Sequence, residues 1–388
     1  MTDPIRVAAV TNIIPVYRRD YYRRIFNNPL LDVTVFCQNK IPGMNLISIH
    51  REFGKSIVEV PYKGAKREVI GWQCLPWRRL LSGYDVYFIH GNPRVLSNIV
   101  VSMMLILMGK VVVIEGQLHT AGSRKLFEAV RLSWWRLFRY IYLYNDNEVH
   151  KIRKKVGFGR KILVGMNNGL NQELVDDAIA KWPSGKLAAW QIESKLDNHT
   201  VVLSCARLEA KNHFDLMVNC LPDLLNQFPN LLWCVIGDGP EKDRLEACAA
   251  RFGVSHAIRW LGPIYEEEQL APWFLTAKIL VHPGAIGLSL LHAFGYGLPV
   301  VTHNNESQHM PEYSCLKNGV NGIVHRFADL DEMVKAIISA IQQHAELSNN
   351  TKQTVVENFN TRIMAQRFQY ICQLAANNAT SGDATTCG

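Results

Sequence analysis

The sequence predicts an α/β chain built from two doubly wound domains in tandem. Short continuous runs rich in Val, Ile and Leu alternate with longer amphipathic stretches, the pattern of parallel strands covered on both faces. The alternation occurs twice, with a polar break between the two series. At 388 residues the chain is also too long for one typical domain.

In the first series the strands are RVAAVT, DVTVFC, DVYFIH, KVVVIEG and KILVGMNNG; in the second they are TVVLSCAR, NLLWCVIGDG, AIRWLG, AKILVHPG and LPVVTHN. The break, AIAKWPSGKLAAWQIESKLDNHT, is polar and carries Pro-Ser-Gly, so residues 181–199 read as the interdomain connection. This sets an N-terminal domain over residues 1–185 and a C-terminal domain over residues 186–355. A helix over residues 356–375 follows, around NFNTRIMAQRFQYICQL, and the tail 376–388 is expected to be loose. The stretch VLSNIVVSMMLILMG from Val95 offers about 14 apolar-rich positions where a membrane span needs roughly 20, so it reads as a buried helix.

Nine cysteines show no C-x-x-C or other metal-ligand spacing, and MTDPIRVAAVT lacks the features of a signal peptide, so a reducing cytoplasmic setting is expected. Charge is uneven: residues 1–195 carry 29 Lys and Arg against 15 Asp and Glu, and the remainder 13 against 19. Basic clusters fall at Arg18, Arg19, Arg23 and Arg24, and at Arg131, Arg136 and Arg139 among aromatics. Such a face attracts an anionic membrane surface, which is the expected peripheral partner. No nucleic-acid-binding motif accompanies the charge, so nucleic acid is not expected. The first strand leads into TNIIPVYRRD without G-x-G-x-x-G, and no P-loop pattern occurs, which argues against dehydrogenases and kinases.

The stretch HPGAIGLSLLHAFGYGLPVV, from His282, reads as a strand end, a glycine turn, an apolar helix and a second strand. Gly284 and Gly287 allow close backbone approach, and a helix opening at about Gly287 leaves its first amides unpaired. That arrangement suits an anion. The same pattern without a ligand is a tight turn, so the rest of the chain decides.

Five strand-end features occur in order: CARLEAKNHFDL, IGDGPEKDRL, RWLGPIYEEEQL, HPGAIGLSLLHAFGYGLPVV and MPEYSCLKNGVNGIV. This series resembles the nucleotide-sugar-binding domain of glycosyltransferase family 4, retaining enzymes of the GT-B fold. The resemblance covers residues 200–345 and, in the front half, NNGLN. It implies two Rossmann-like domains facing a central cleft, with Arg207 and Lys211 gripping the donor diphosphate. Donor contacts are implied at Gly237, at Gly262, Pro263 and Ile264, at Gly284, Ala285, Ile286, Gly287 and Leu288, and at Glu312. The family carries two glutamates where this chain has Gly284 and His292. Neither carboxylate is present, and His292 is expected to hydrogen-bond a ribose hydroxyl. In the front half the resemblance places His119 over the donor sugar, and His90, Asn92 and Arg94 are candidates for touching acceptor phosphate or sugar.

Asp329-Leu-Asp331 spells D-x-D but opens a helix, where Asp is a good N-cap; the run from His303 to His309 has no fixed ligand spacing. No metal and no cofactor is expected. The reading is therefore a retaining glycosyltransferase that moves a sugar from a nucleotide-sugar to a glycan or lipid-linked acceptor, in bacterial cell-surface polysaccharide synthesis at the inner membrane. A catalytically silent binding protein and a nucleotide-sugar epimerase of the same fold are the alternatives.

Overall fold

The computed structural model describes residues 3–40, 48–64, 70–118 and 125–380. Two compact units emerge: residues 1–168 with 361–388, and residues 169–360. The strands of the front unit are β1 (Ile5–Val10), β2 (Leu31–Cys37), β3 (Ile57–Glu59), β4 (Tyr62–Gly64), β5 (Gly71–Gln73), β6 (Val86–His90), β7 (Val111–Gly116), β8 (Tyr140–Leu143) and β9 (Ile162–Gly165). Seven form one sheet in the order β3-β2-β1-β6-β7-β8-β9, all pairs parallel. The rear unit holds β10 (Thr200–Cys205), β11 (Leu231–Ile236), β12 (Ile258–Gly262), β13 (Ile279–Val281), β14 (Val300–His303) and β15 (Gly322–His325). These form a parallel sheet in the order β12-β11-β10-β13-β14-β15.

Each expected strand is present, because each is an apolar run with helices to cover both faces. β8 was not expected: Tyr140–Leu143 lies in a stretch whose Arg and Trp content resembles a basic aromatic helix. The described helix spans Lys125–Trp135, and Trp134, Trp135 and Phe138 are buried in the front core.

The division between units falls at Asn168/Gly169 rather than near residue 185. The expected connection is itself structured. Pro183 precedes the helix Ser184–Glu193 in extended conformation, and Trp190 packs edge-on between Trp182 (5.8 Å) and Trp273 (4.9 Å). The last helix, Thr361–Thr380, belongs to the front unit, where Phe368 packs on Phe88 at 4.6 Å and on Tyr21 and Tyr142 at 6.2 Å. Asp329 caps its helix by accepting from the Glu332 N–H at 2.9 Å.

Histidines gather at the carboxyl rim of the rear sheet. His303 on β14 lies in register with His325 on β15, and His282 follows β13. His309 stacks on His303 (4.0 Å between centroids) and on Tyr313 (4.2 Å). Its Nδ1 accepts from the Ile286 N–H, so Nε2 carries the proton and donates to the His303 carbonyl at 2.8 Å. Burial holds these rings neutral, pushing His282 down to about 4 and His303 to about 3, and lowering His309 and His325.

Two outcomes follow. A histidine whose folded pKa lies below its unfolded 6.5 leaves stability intact above pH 6.5 and drains it as pH falls toward the folded value. Thermal unfolding from pH 7 to pH 5 is therefore expected to show a steep loss in the rear unit, about 1.4 kcal/mol per pH unit for each such ring. His303→Phe, which keeps the stack, should flatten that slope; an unchanged slope removes the histidine account. In the front unit, Phe368→Ala is expected to cost about 3–5 kcal/mol, read as a lower denaturant midpoint of that unit's transition.

Candidate functional site: the carboxyl ends of the rear sheet

Strand order reverses between β10 and β13, and ligands of such sheets bind in the crevice outside the carboxyl ends at that reversal. Two segments meet there. The loop after β10, residues 206–212, carries Arg207 and Lys211; the turn after β13 carries Gly284. The Lys211 carbonyl accepts from the Ala285 N–H at 3.2 Å. A Cβ on Gly284 would sit 2.3 Å from the Lys211 oxygen and 2.5 Å from the Asn212 Cα, so only glycine permits this approach. Gly237 allows a similar approach on the adjacent strand β11: at φ +136° its missing Cβ avoids the Ala206 carbonyl, and its N–H donates to the Gly262 carbonyl at 2.8 Å.

Arg207 and Lys211 are both more than half exposed, and both ion-pair with Glu209, at 3.2 and 2.8 Å. The Lys211 hydrogen bond, with the charges of Lys211 and Arg207, draws Glu209 below the ordinary carboxylate range. The Arg207 carbonyl accepts from the buried Asn212 side chain at 2.7 Å, which fixes the loop. Sequence reading missed Glu209, although its position two residues from each cation was a usable signal.

The amide turn is partly committed to the protein. Ala285 N–H goes to Lys211, and Ile286 N–H to Gly284 and His309, while the Ile286 side chain is buried in the core. Gly287 and Leu288 remain at the mouth of the helix Leu288–Gly295, whose N-cap has no side-chain partner. Glu312, nearly buried on the turn Pro311–Cys315, comes alongside: a Cβ on Gly287 would lie 3.7 Å from its Oε2. Gly262 ends β12 at φ +70°, Pro263 is exposed, and Ile264 packs against the rear core.

His292 lies on the same helix with Nε2 2.6 Å from Glu267 Oε1, and that oxygen also accepts from the Tyr296 hydroxyl at 2.6 Å. Phe274 packs against both rings. Burial raises the Glu267 pKa, but the His292 and Tyr296 bonds outweigh it and hold the group below the usual range. Nε2 is thus engaged by Glu267, so the hydrogen bond expected of His292 from the sequence has only Nδ1 left to make it. Nothing in the local sequence linked Glu267 to His292; the pair forms between elements 25 residues apart.

The front sheet also reverses order, between β1 and β6, and a pocket of about 300 Å³ opens at the carboxyl ends there. Asn12, Arg18, His90, Asn92, Glu115 and Arg131 line it. His90 is pushed down to about 4 by burial and by the Arg18 and Arg131 charges, so it is neutral at pH 7. Arg94 is not in the lining: its guanidinium sits 5.1 Å over the Phe127 ring, and its N–H donates to Asn92 Oδ1. His119 lies outside the described residues.

Comparison with known proteins places this geometry. Residues 189–356 match the family described as Glycosyl transferases group 1. A D-inositol 3-phosphate glycosyltransferase of Streptomyces griseus is 27% identical over 189 residues, 42% of this chain and 39% of the relative. The matched regions span 24–48% of the length of the curated relatives compared. Among solved structures, a glycosyltransferase from Rickettsia africae superposes with TM-score 0.72 at 12% identity, covering 97% of this chain and all of the other. Anabaena HepE in complex with UDP gives TM-score 0.65 at 14% identity, covering 94% and 98%. Residues 189–356 therefore carry the Glycosyl transferases group 1 match, in a chain with the GT-B fold of two Rossmann-like domains.

Proposed function

We propose that this chain is a glycosyltransferase that moves a sugar from a nucleotide-diphosphate sugar to a glycan or lipid-linked glycan acceptor, with retention of anomeric configuration and without metal or cofactor. The observation that carries this reading is the convergence, at one strand-order reversal, of Arg207, Lys211 and the open end of the helix Leu288–Gly295. The leaving nucleoside diphosphate gains negative charge as the glycosidic bond breaks, and fixed cations aimed there lower the barrier. Attack from the face the leaving group departs, with its phosphate taking the acceptor proton, needs no protein nucleophile. His119 is assigned to the donor sugar, and Glu312, Gly237 and residues 262–264 to the nucleotide and sugar. HepE structures contain UDP and UDP-glucose, which supports a nucleotide-sugar donor.

The front unit is assigned the acceptor, in keeping with its basic character. Exposed Leu137 and Val156 stand with Lys110, Arg136 and Arg139 on that unit, a surface suited to anionic headgroups. Among the described residues no helix is long and apolar enough to cross a membrane. The basic and partly apolar surface of the front unit is what supports a peripheral role on the cytoplasmic side of the inner membrane, in cell-surface polysaccharide synthesis. One observation favours a silent binding protein instead: Gly284 and His292 stand where the resembling family has carboxylates.

The readings separate on nucleotide released from a panel of nucleotide-sugars. Wild type is expected to release it from at least one donor, and Arg207→Ala or Lys211→Ala to lower the rate by roughly ten- to a hundredfold. No release from any donor, with no thermal shift by UDP or GDP, removes the transferase reading and favours the silent one. Glu209→Gln is expected to tighten UDP binding about two- to fivefold, because the carboxylate no longer competes for the two cations; calorimetric titration measures this.

A further inference from the structure

We propose that the front pocket, at the β1/β6 reversal, is a second anion site, in which Arg18 holds a phosphate ester carried by the acceptor. The last clause rests on the transferase reading; the anion site itself does not.

Arg18 is 7% exposed and lines the pocket. Its nearest carboxylate oxygen, Glu115 Oε1, is 3.8 Å from Nη1, beyond hydrogen-bonding distance. Its Nε and Nη2 are buried and have no hydrogen-bond partner among the described residues. These two atoms form one edge of the guanidinium, the edge that grips two oxygens at once. The neighbouring residue shows the edge in use: Arg19 Nε and Nη2 each donate to a Glu52 oxygen at 2.8 Å. In Arg18 the same edge carries no protein oxygen. Buried polar groups of a purely structural kind are ordinarily satisfied within the fold, so this one needs another explanation.

The surrounding charges point to an anion. Arg18 and Arg131 line the pocket with one carboxylate, Glu115, whose pKa burial raises; Arg131 Nη1 already donates to the Gln117 and Leu118 carbonyls and its charge is met by Glu128 and Glu148, so Arg18 is the cation left to a ligand. His90 adds no charge at neutral pH, and Tyr144 lies under the Arg18 guanidinium at 5.0 Å as a neutral platform. Tyr17 completes the titratable lining. A fixed cation with its two-donor edge open, in a partly enclosed pocket of about 300 Å³, suits a phosphate ester, whose oxygens can take both donors at once, whether it is a monoester or a diester. The ester's source is either a soluble sugar phosphate or a phospholipid headgroup.

The test uses the full chain carrying Arg207→Ala and Lys211→Ala, so that the rear cations cannot bind the probe. Glucose 6-phosphate, glucose and glucuronate are titrated by calorimetry, and phosphatidylglycerol vesicles are compared with phosphatidylcholine vesicles by co-sedimentation. Glucose 6-phosphate or phosphatidylglycerol is expected to bind and glucose not to; which of the two binds identifies the source. Adding Arg18→Met should weaken that binding at least about tenfold. It should also leave the unfolding temperature little changed, since the lost edge makes no hydrogen bond among the described residues, whereas loss of a hydrogen-bonded structural arginine would lower it. Arg18→Lys, which keeps charge but loses the two-donor edge, should bind with intermediate affinity and gives the reading if the Met variant does not fold. Binding of neither phosphate probe, binding independent of Arg18, or binding of glucuronate alone overturns the proposal. UDP titrated into the wild-type chain reports separately on the rear site, so either assignment can fail without the other.

Discussion

The rear crevice depends on one backbone contact, the approach of the turn after β13 to the loop after β10. The Ala285 N–H on the Lys211 carbonyl ties the two sides of the reversal together, and the absent side chain of Gly284 lets them meet. The residues proposed to meet the donor in this unit are arranged around that seam. Lys211 leaves one side of it, the helix Leu288–Gly295 opens on the other, and Asn212, whose Cα would meet a Gly284 Cβ, secures the Arg207 carbonyl. A strand-order reversal creates a crevice in any sheet of this type; here glycine sets its width.

The same topology acts twice with different electrostatics. In the rear unit the cations are exposed and shared by one carboxylate, Glu209. Exposed pairs of this kind contribute little to stability, so their presence is better explained by what they can bind than by what they hold together. In the front unit Arg18 is buried, and burying a cation without full hydrogen bonding is costly. Solvent access thus divides the two proposed sites: one offers exposed charge shared with Glu209, the other a buried charge fixed in place.

Much of the fold was legible because parallel strands buried on both faces must be continuous apolar runs, and helices between them must be amphipathic. The failures are local and have causes. Tyr140–Leu143 adjoins Arg139 and two tryptophans, so its strand character was hidden by neighbours that belong to a helix and its exit. Pro183 looked like a break, but in extended conformation it precedes a helix whose Trp190 docks on Trp182 and Trp273. In the site, Arg207, Lys211 and the 284–288 turn were legible through the family resemblance that five strand-end features in order carry. The pairing of His292 with Glu267 was not, because it joins two helices through tertiary packing. Arg18 was read as one of a surface cluster with Arg19, Arg23 and Arg24, since sequence gives the number of arginines on a turn and not which of them faces inward.

The position of Gly284 also bears on the carboxylates that the resemblance places at residues 284 and 292. A glutamate at 284 would bring its Cβ to 2.3 Å from the Lys211 carbonyl, and backbone cannot yield as a flexible side chain can. Placing such a side chain at 284 would therefore require the seam to open and shift the Lys211 backbone. Negative charge is not missing from this region, however. Glu209 lies between the two cations, Glu312 flanks the helix opening at Gly287, and Glu267 holds His292. Each is presented from a segment other than the turn itself, so the chain keeps acidic groups around its crevice while keeping the turn narrow enough for the Ala285–Lys211 bond. Seam closure and a carboxylate at 284 are mutually exclusive in this conformation, and the sequence carries the residue that permits closure.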